Sequence, residues 1–424
     1  MDAVRTANRP LPAVQSPVMA KKRAGKKLRV EFRQNRQQRR RESDLTRKFR
    51  EDGDAVDNRA QSETVRAKGE LSRKRTVLVD DQNAPRVDEA LWLRGVVTAV
   101  HGLVCRVDSA GRNWDCVVRR KLRTLLIVER TPVACGDRVW FSDHSDHHDG
   151  LHVGVIERVD ERVSCLSRRD FRGREHILVA NADQLVIVSS VARPRPKPHL
   201  IDRYLVAAGR GGMRPVIVFN KCDLRATLAG ERADESDLDL EMEEQELPRR
   251  MGLDDLLAEY RALGYTVIEA SAATGEGVDR VAGEFAGRTS VVSGQSGVGK
   301  SSLINRIEPE LNLDVGDVSE GTEKGRHTTT HARLVPLARG GYVVDTPGIR
   351  QFDVWSVEPG ELEAYFAEIA ERVAECRFKD CHHTVEDGCA VREAVELGDI
   401  SSRRYASYLK LLSEMAQVRR ERGR

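Results

Sequence analysis

Eight consecutive residues, Gly294-Gln295-Ser296-Gly297-Val298-Gly299-Lys300-Ser301, fit the pattern G-x-x-x-x-G-K-[ST]. An apolar strand pattern, Thr289-Ser290-Val291-Val292, precedes them, and Ser302-Leu303-Ile304-Asn305 reads as a helix start. A strand that turns through glycines into a helix aims backbone N–H groups at one spot, where the helix dipole also favours an anion. Lys300 can then reach the β- and γ-phosphates of a nucleotide, and the Ser301 hydroxyl can ligate Mg²⁺. A chance glycine-rich turn would not need the strand and helix on either side.

The base is addressed by Asn220-Lys221-Cys222-Asp223, which follows the buried-strand pattern Arg214-Pro215-Val216-Ile217-Val218-Phe219. N-K-x-D at a strand's end sets an Asp carboxylate opposite guanine's N1–H and exocyclic N–H₂. Adenine offers no such pair of donors, and a site built for hydrogen bonds rejects the base that leaves them unpaired. A second strand pattern, Tyr265 to Ala270, ends at Ser271-Ala272-Ala273, matching the S-A-x loop whose N–H meets the guanine carbonyl. A third, Gly341-Tyr342-Val343-Val344, ends at Asp345-Thr346-Pro347-Gly348, matching D-x-x-G. There Asp345 supports Mg²⁺ and the Gly348 N–H meets the γ-phosphate. Each short motif is weak alone; together, each at the end of an apolar strand, they specify GTP.

These motifs need a parallel sheet with its strand ends at one edge, yet their order is unusual. The guanine motifs, at 220 and 271, come before the phosphate motifs, at 294 and 345. The same sheet forms if the old termini are joined and the chain is opened elsewhere, which is tolerated where termini lie close together on the surface. A circularly permuted α/β P-loop domain is therefore expected over 166–356.

Around it the 424-residue chain suggests several domains. Residues 1–50 hold sixteen Lys/Arg and four Asp/Glu, a formal charge of +12 within a chain of +3 overall. Residues 1–90 read as a basic, disordered extension and polar linker, either an RNA-contacting arm or a solubilising tail. Over 91–165 about five short strand patterns, separated by turns, suggest a small β-barrel, with an OB-fold as first choice. The run Arg119-Arg120-Lys121-Leu122-Arg123 gives that barrel a basic edge suited to RNA. His144, His147 and His148 read as solvated loop residues, and the acidic stretch Glu231 to Glu246 carries no assigned chemistry. No apolar run nears the roughly 18 residues of a membrane helix, and the start of the chain lacks a signal-peptide core. Eight cysteines without dense pairing fit a reducing cytoplasm. A cytoplasmic monomer with no membrane partner is expected.

Near the C-terminus, Cys376, Cys381, a histidine and Cys389 offer three thiolates and an imidazole, enough to close a tetrahedral zinc shell. The histidine is His382 or His383. Helical patterns near 359–374 and 391–421 make 357–424 a small α-helical domain with a basic tail.

With these pieces in view, the chain resembles the bacterial ribosome small-subunit-dependent GTPase A family of circularly permuted GTPases. The resemblance rests on the motif order, on Gly325-Arg326-His327-Thr328-Thr329-Thr330, on Ile201-Asp202-Arg203-Tyr204-Leu205 and on the cysteine cluster, and covers about residues 91–415. It implies an OB-fold, a permuted GTPase domain and a zinc-bearing helical domain. It also implies GTP hydrolysis that is slow alone and stimulated by the small (30S) ribosomal subunit, which such proteins bind through its rRNA late in assembly. It favours His383 with Cys376, Cys381 and Cys389 around one structural zinc, and Thr329 with Ser301 around Mg²⁺. The basic arm is longer than the family leads one to expect.

One departure from ordinary GTPases concerns catalysis. Ile349 stands after Gly348, where many GTPases place a water-orienting Gln. Isoleucine cannot hydrogen-bond water, so another group must supply that role. His327 is the candidate catalytic residue; its bland reading is a switch-loop histidine that touches only RNA or solvent. A GTPase acting on the ribosomal small subunit is the function expected. The alternative is an RNA-binding module in which GTP is only a structural or regulatory ligand, and measured turnover separates the two.

Overall fold

The structure is a computed structural model. It describes residues 26–31, 74–79, 91–119, 122, 133–145, 151–169, 175–226, 252–313, 332–345, 357 and 359–422. The chain divides into two compact units, one of residues 1–36 with 65–87 and one of 37–64 with 88–424. In the first, β1 (Lys26–Glu31) pairs antiparallel with β2 (Lys74–Val79), from Lys26↔Val79 to Glu31↔Lys74. Disorder was expected throughout 1–90, and these twelve residues depart from it. Leu28, Val30 and the run Val77-Leu78-Val79 are strand formers that the surrounding basic composition masks.

The second unit begins with five strands: β3 (Trp92–His101), β4 (Val104–Ser109), β5 (Arg112–Val118), β6 (Arg138–Asp143) and β7 (Val153–Val159). Their order is β3-β4-β5-β7-β6, and β6 pairs back to β3, so the barrel closes. The β5–β7 pairing is parallel and the others are antiparallel. This is the OB arrangement. Alternation along the strands turns Val97, Val107, Trp114, Cys116, Val139, Phe141 and Ile156 into its core. The β4–β5 hairpin turns on Ala110 and Gly111, both at positive φ, as a two-residue hairpin loop requires.

A hairpin of β8 (Cys165–Arg169) and β9 (Glu175–Ala180) leads to the central sheet. That sheet holds β10 (Gln184–Ser190), β11 (Arg214–Asn220), β12 (Thr266–Glu269), β13 (Arg288–Ser293), β14 (Arg333–Pro336) and β15 (Gly341–Asp345). The order is β12-β11-β10-β13-β15-β14, parallel except for β14. Helices α1 (Pro198–Arg210) and α2 (Leu253–Ala262) cover one face through Leu185, Ile187, Ile217, Phe219 and Val344. Helices α3 (Val278–Phe285) and α4 (Lys300–Ile307) cover the other through Val186, Val188, Val216, Val218 and Val343. Burial on both faces explains why these strands read as continuous apolar runs.

The chain walks from β10 out to β12, then returns to β13 and walks the other way to β15. The reversal falls between β10 and β13, and open α/β sheets bind ligands in the crevice beyond such a switch point. The barrel joins this sheet edge-on: β14 meets β3 at Arg333↔Ala99, giving eleven continuous strands.

The C-terminal part holds a 3₁₀ turn (Pro359–Tyr365), α5 (Ala367–Val373), α6 (Ala390–Leu397) and α7 (Ser402–Arg422). Its core of Val357, Leu362, Phe366, Ile369, Tyr408 and Leu411 includes Val206 from α1. Charges also cross this boundary, from Arg403 and Arg404 on α7 to Asp202 on α1. Among the described residues no helix is long and apolar enough to cross a membrane.

Candidate nucleotide and metal sites

Gly294 opens the loop after β13 with φ 150°, and a Cβ there would lie 2.0 Å from the Val188 carbonyl oxygen on β10. Gly299, at φ 87°, precedes α4, and its Cβ would lie 2.5 Å from Asn220 Nδ2. Only glycine allows these approaches. Val298 is buried and anchors the loop from below. Lys300 Nζ donates to the carbonyls of Gly294 (2.9 Å) and Gln295 (2.8 Å), so its ammonium lies over the loop. Ser301 and Ser302 are half-buried in the first turn of α4.

Beside this loop, Asn220 ends β11 with 1% of its surface exposed. Its Nδ2 donates to the Val298 carbonyl at 2.8 Å, and its Oδ1 accepts from the Ala272 N–H at 3.0 Å. One amide therefore pins the phosphate loop to the S-A-x loop. Lys221 takes a left-handed conformation, φ 63°, and donates from Nζ to the Arg193 carbonyl. Desolvation lowers its pKa from the usual lysine value, with Asp223 opposing. Asp223 Oδ1 accepts from Ser271 Oγ at 2.5 Å, and Ser271 Oγ in turn accepts from the Thr274 N–H at 3.1 Å. Cys222 ties down the turn through its N–H to Ala270 O at 3.1 Å. Burial and Glu276 push its thiol up to about 11.

Asp345 ends β15 at the same end of the sheet, paired with Arg333. Gly348, Ile349, His327, the switch threonines with Thr329, and the acidic stretch 231–246 lie outside the described residues, as do Arg120, Lys121, Arg123, His147 and His148.

In the C-terminal part the donor atoms of Cys376, Cys381, His383 and Cys389 all lie within 4.8 Å of one another. His383 Nδ1 is 3.5 Å from Cys376 Sγ and 3.4 Å from Cys389 Sγ, and those two sulfurs are 4.0 Å apart. With Zn–S near 2.3 Å and Zn–N near 2.0–2.1 Å, a tetrahedral shell needs edges of about 3.5–3.8 Å. The donor set and spacing fit a structural metal ion. His382 is exposed, whereas His383 is closed off from solvent with Nε2 held by Glu363 at 3.1 Å. A carboxylate on the far nitrogen is the usual orienting partner of a ligating histidine. Burial pushes the Cys381 thiol up to about 12.

Three features escaped the reading of motifs. Asn305 on α4 clamps the backbone of Leu313 in both directions, at 2.8 and 2.7 Å. Tyr342 Oη donates to Asp108 of the barrel at 2.8 Å. Asp202 is the centre of a buried cluster with Arg403, Arg404 and Tyr260. Only the last falls in a motif quoted above, Ile201-Asp202-Arg203-Tyr204-Leu205, whose part in a buried cluster the motif itself did not reveal.

Comparison with known proteins agrees with this geometry. Residues 159–355 match the family model of the RsgA GTPase. The small ribosomal subunit biogenesis GTPase RsgA of Gemmatimonas aurantiaca is 42% identical over 67% of this chain and 84% of its own length. That of Serratia proteamaculans is 36% identical over 85% of this chain and 95% of its own. Among solved structures, YjeQ from Thermotoga maritima matches with TM-score 0.58 and 32% identity, covering 77% of this chain and 99% of that one. YloQ, described as a circularly permuted GTPase, matches with TM-score 0.56 and 25% identity, over 78% and 98%.

Proposed function

Since the chain belongs to the RsgA GTPase family and is a circularly permuted GTP hydrolase, we propose that it binds the small (30S) ribosomal subunit through its rRNA and assists late maturation of that subunit. GTP hydrolysis is slow in the free protein and faster on the subunit. Asn220, Lys221, Cys222 and Asp223, with Ser271 and Ala272, hold the guanine. Gly294 through Ser302 hold the phosphates, with Asp345 and Gly348 at the γ-phosphate. Ser301 and Thr329 ligate Mg²⁺, and His327 takes the place of the missing Gln. Cys376, Cys381, His383 and Cys389 hold one structural Zn²⁺. The protein acts as a cytoplasmic monomer.

The observation that supports this reading best is Asn220, whose single side chain ties the phosphate loop to the guanine loop across the switch-point crevice. A nucleotide lying there meets both loops at once. Family membership disfavours the alternative of an RNA-binding module that only stores GTP.

The test is GTP turnover measured alone and with purified small subunits, alongside sedimentation that reports binding. A clear rise in rate on subunits is expected. Bound protein that turns over GTP no faster than free protein would contradict the proposal.

A further inference from the structure

Along the chain, the hairpin β14–β15 lies between the switch-threonine segment and the D-x-x-G segment, both assigned above to the γ-phosphate and its Mg²⁺ and here called the switches. Residues 314–331, with the switch threonines, end just before β14, and β15 ends at Asp345, where D-x-x-G begins. Its inner side pairs with β13, and its outer side meets β3 of the barrel. Tyr342, three residues before Asp345, reaches across and donates from Oη to Asp108 Oδ2 at 2.8 Å. Asp108 stands near the end of β4, and its Oδ1 accepts from the Gly111 N–H at 3.0 Å in the β4–β5 turn. One carboxylate therefore ties the barrel's hairpin turn to the strand that feeds the γ-phosphate site. Burial and the Asp108 carboxylate push the Tyr342 phenol up to about 12, so it stays a donor at neutral pH.

Packing reinforces this tie. Val96 of β3 and Cys135 of the barrel belong to the same core cluster as Leu334, Tyr342 and Val344 of the hairpin. A shift of β14–β15 against the parallel sheet is thus also a shift against the barrel. The β4–β5 hairpin carries exposed Arg112 near its turn, and further along it Arg106 on β4 pairs with Asp115 on β5 at 3.7 Å.

We propose that Tyr342 and Asp108 are positioning residues that couple the barrel to the hairpin between the switches, so that RNA held by the barrel sets how readily the switches reach their hydrolytic arrangement. This rests on the switch and subunit assignments made above. Coupling between two sites is reciprocal, so nucleotide state must also be felt in the barrel, and that gives a readout free of the ribosome.

The test uses the full chain with Tyr342→Phe and Asp108→Asn. Amide hydrogen exchange is followed over residues 104–118 with GDP and with a non-hydrolysable GTP analogue. The wild type is expected to differ between the two, Tyr342→Phe to lose the difference, and Asp108→Asn to keep it, because the amide oxygen can accept from the Gly111 N–H while the amide N–H donates to the Tyr342 hydroxyl. In turnover assays Tyr342→Phe should keep its basal rate and lose about fivefold of the stimulation by small subunits, the factor a typical hydrogen bond represents. Identical exchange with both nucleotides in the wild type overturns the coupling, as does full stimulation of Tyr342→Phe. A wild type that shows the exchange difference but no stimulation refutes the subunit assignment while supporting the coupling.

Discussion

Asp202 on α1 accepts from Arg404 Nη1 on α7 at 2.7 Å, and both side chains are sealed from solvent, at 0% and 1% exposure. The carboxylate also accepts from Arg403 at 2.8 Å and from the Tyr260 hydroxyl at 2.8 Å. Arg404 turns its remaining N–H groups to Glu368 and stacks over Phe366. The helical C-terminal part is thus fastened to the GTPase helix that follows β10 by charges neither side could bury alone.

Removing one partner leaves the other buried and uncompensated. Asp202→Asn or Arg404→Met should therefore cost about 3–5 kcal/mol. Denaturant unfolding followed separately in each part would detect the loss, with the C-terminal part released first. Burial alone would raise the Asp202 pKa, but Arg404 and Arg403, with Ser407 and Tyr260, outweigh it and hold the carboxyl below its usual range. A depressed carboxyl stabilises the fold above the unfolded value of about 3.9 and loses that contribution as pH falls through the folded value. Acid titration of wild type should show this loss below about pH 4, and Asp202→Asn should lack it.

For the base, Asp223→Asn presents an amide N–H where guanine offers donors. GTP affinity should fall about tenfold to a hundredfold, as for a lost hydrogen bond to a charged group, and xanthosine triphosphate should gain. Calorimetric titration with both nucleotides measures the exchange of preference; unchanged GTP affinity would remove residues 220–223 from the guanine site.

Asn220→Ala should act on two loops at once. It strips the Val298 carbonyl and the Ala272 N–H of their bonds to Asn220, each worth about 1–3 kcal/mol if left unmet. Melting temperature and nucleotide affinity should fall together. A variant that lost affinity alone would show that the brace serves the ligand and not the fold.

Elemental analysis should find one zinc per chain, and Cys381→Ser should lower that content and loosen residues 370–395 to proteolysis. Glu363→Gln keeps the ligands but weakens the carboxylate behind His383, and should cost about 10–100-fold in metal affinity. Because thiols and imidazole must be deprotonated to bind, affinity should also fall with decreasing pH. Wild-type protein that is fully folded and metal-free would end the zinc reading.

The nucleotide motifs were legible because each sits where an apolar strand stops, and a parallel sheet buried on both faces writes its strands as plain runs. The five barrel strands were legible through alternation and turns. Tyr342–Asp108 and Asp202–Arg404 were not, because their partners lie about two hundred residues apart and nothing local marks the pairing. The choice of His383 over His382 came from the resemblance and not from the spacing itself; in the structure His383, at φ 59°, has its ring among the thiols. Within residues 1–90, the strand pair was hidden because a window dominated by Lys and Arg averages away a few apolar residues.

The meeting of β3 with β14 has a consequence for anyone who would cut this protein into parts. A fragment that begins at β10 loses Val96 and Cys135 from its core and bares the edge of β14 at Arg333, where it pairs with Ala99. An uncovered rim of backbone donors and acceptors is a template for a neighbouring chain. A fragment without the barrel is therefore expected to self-associate more than the full chain does, which sedimentation of the two would check.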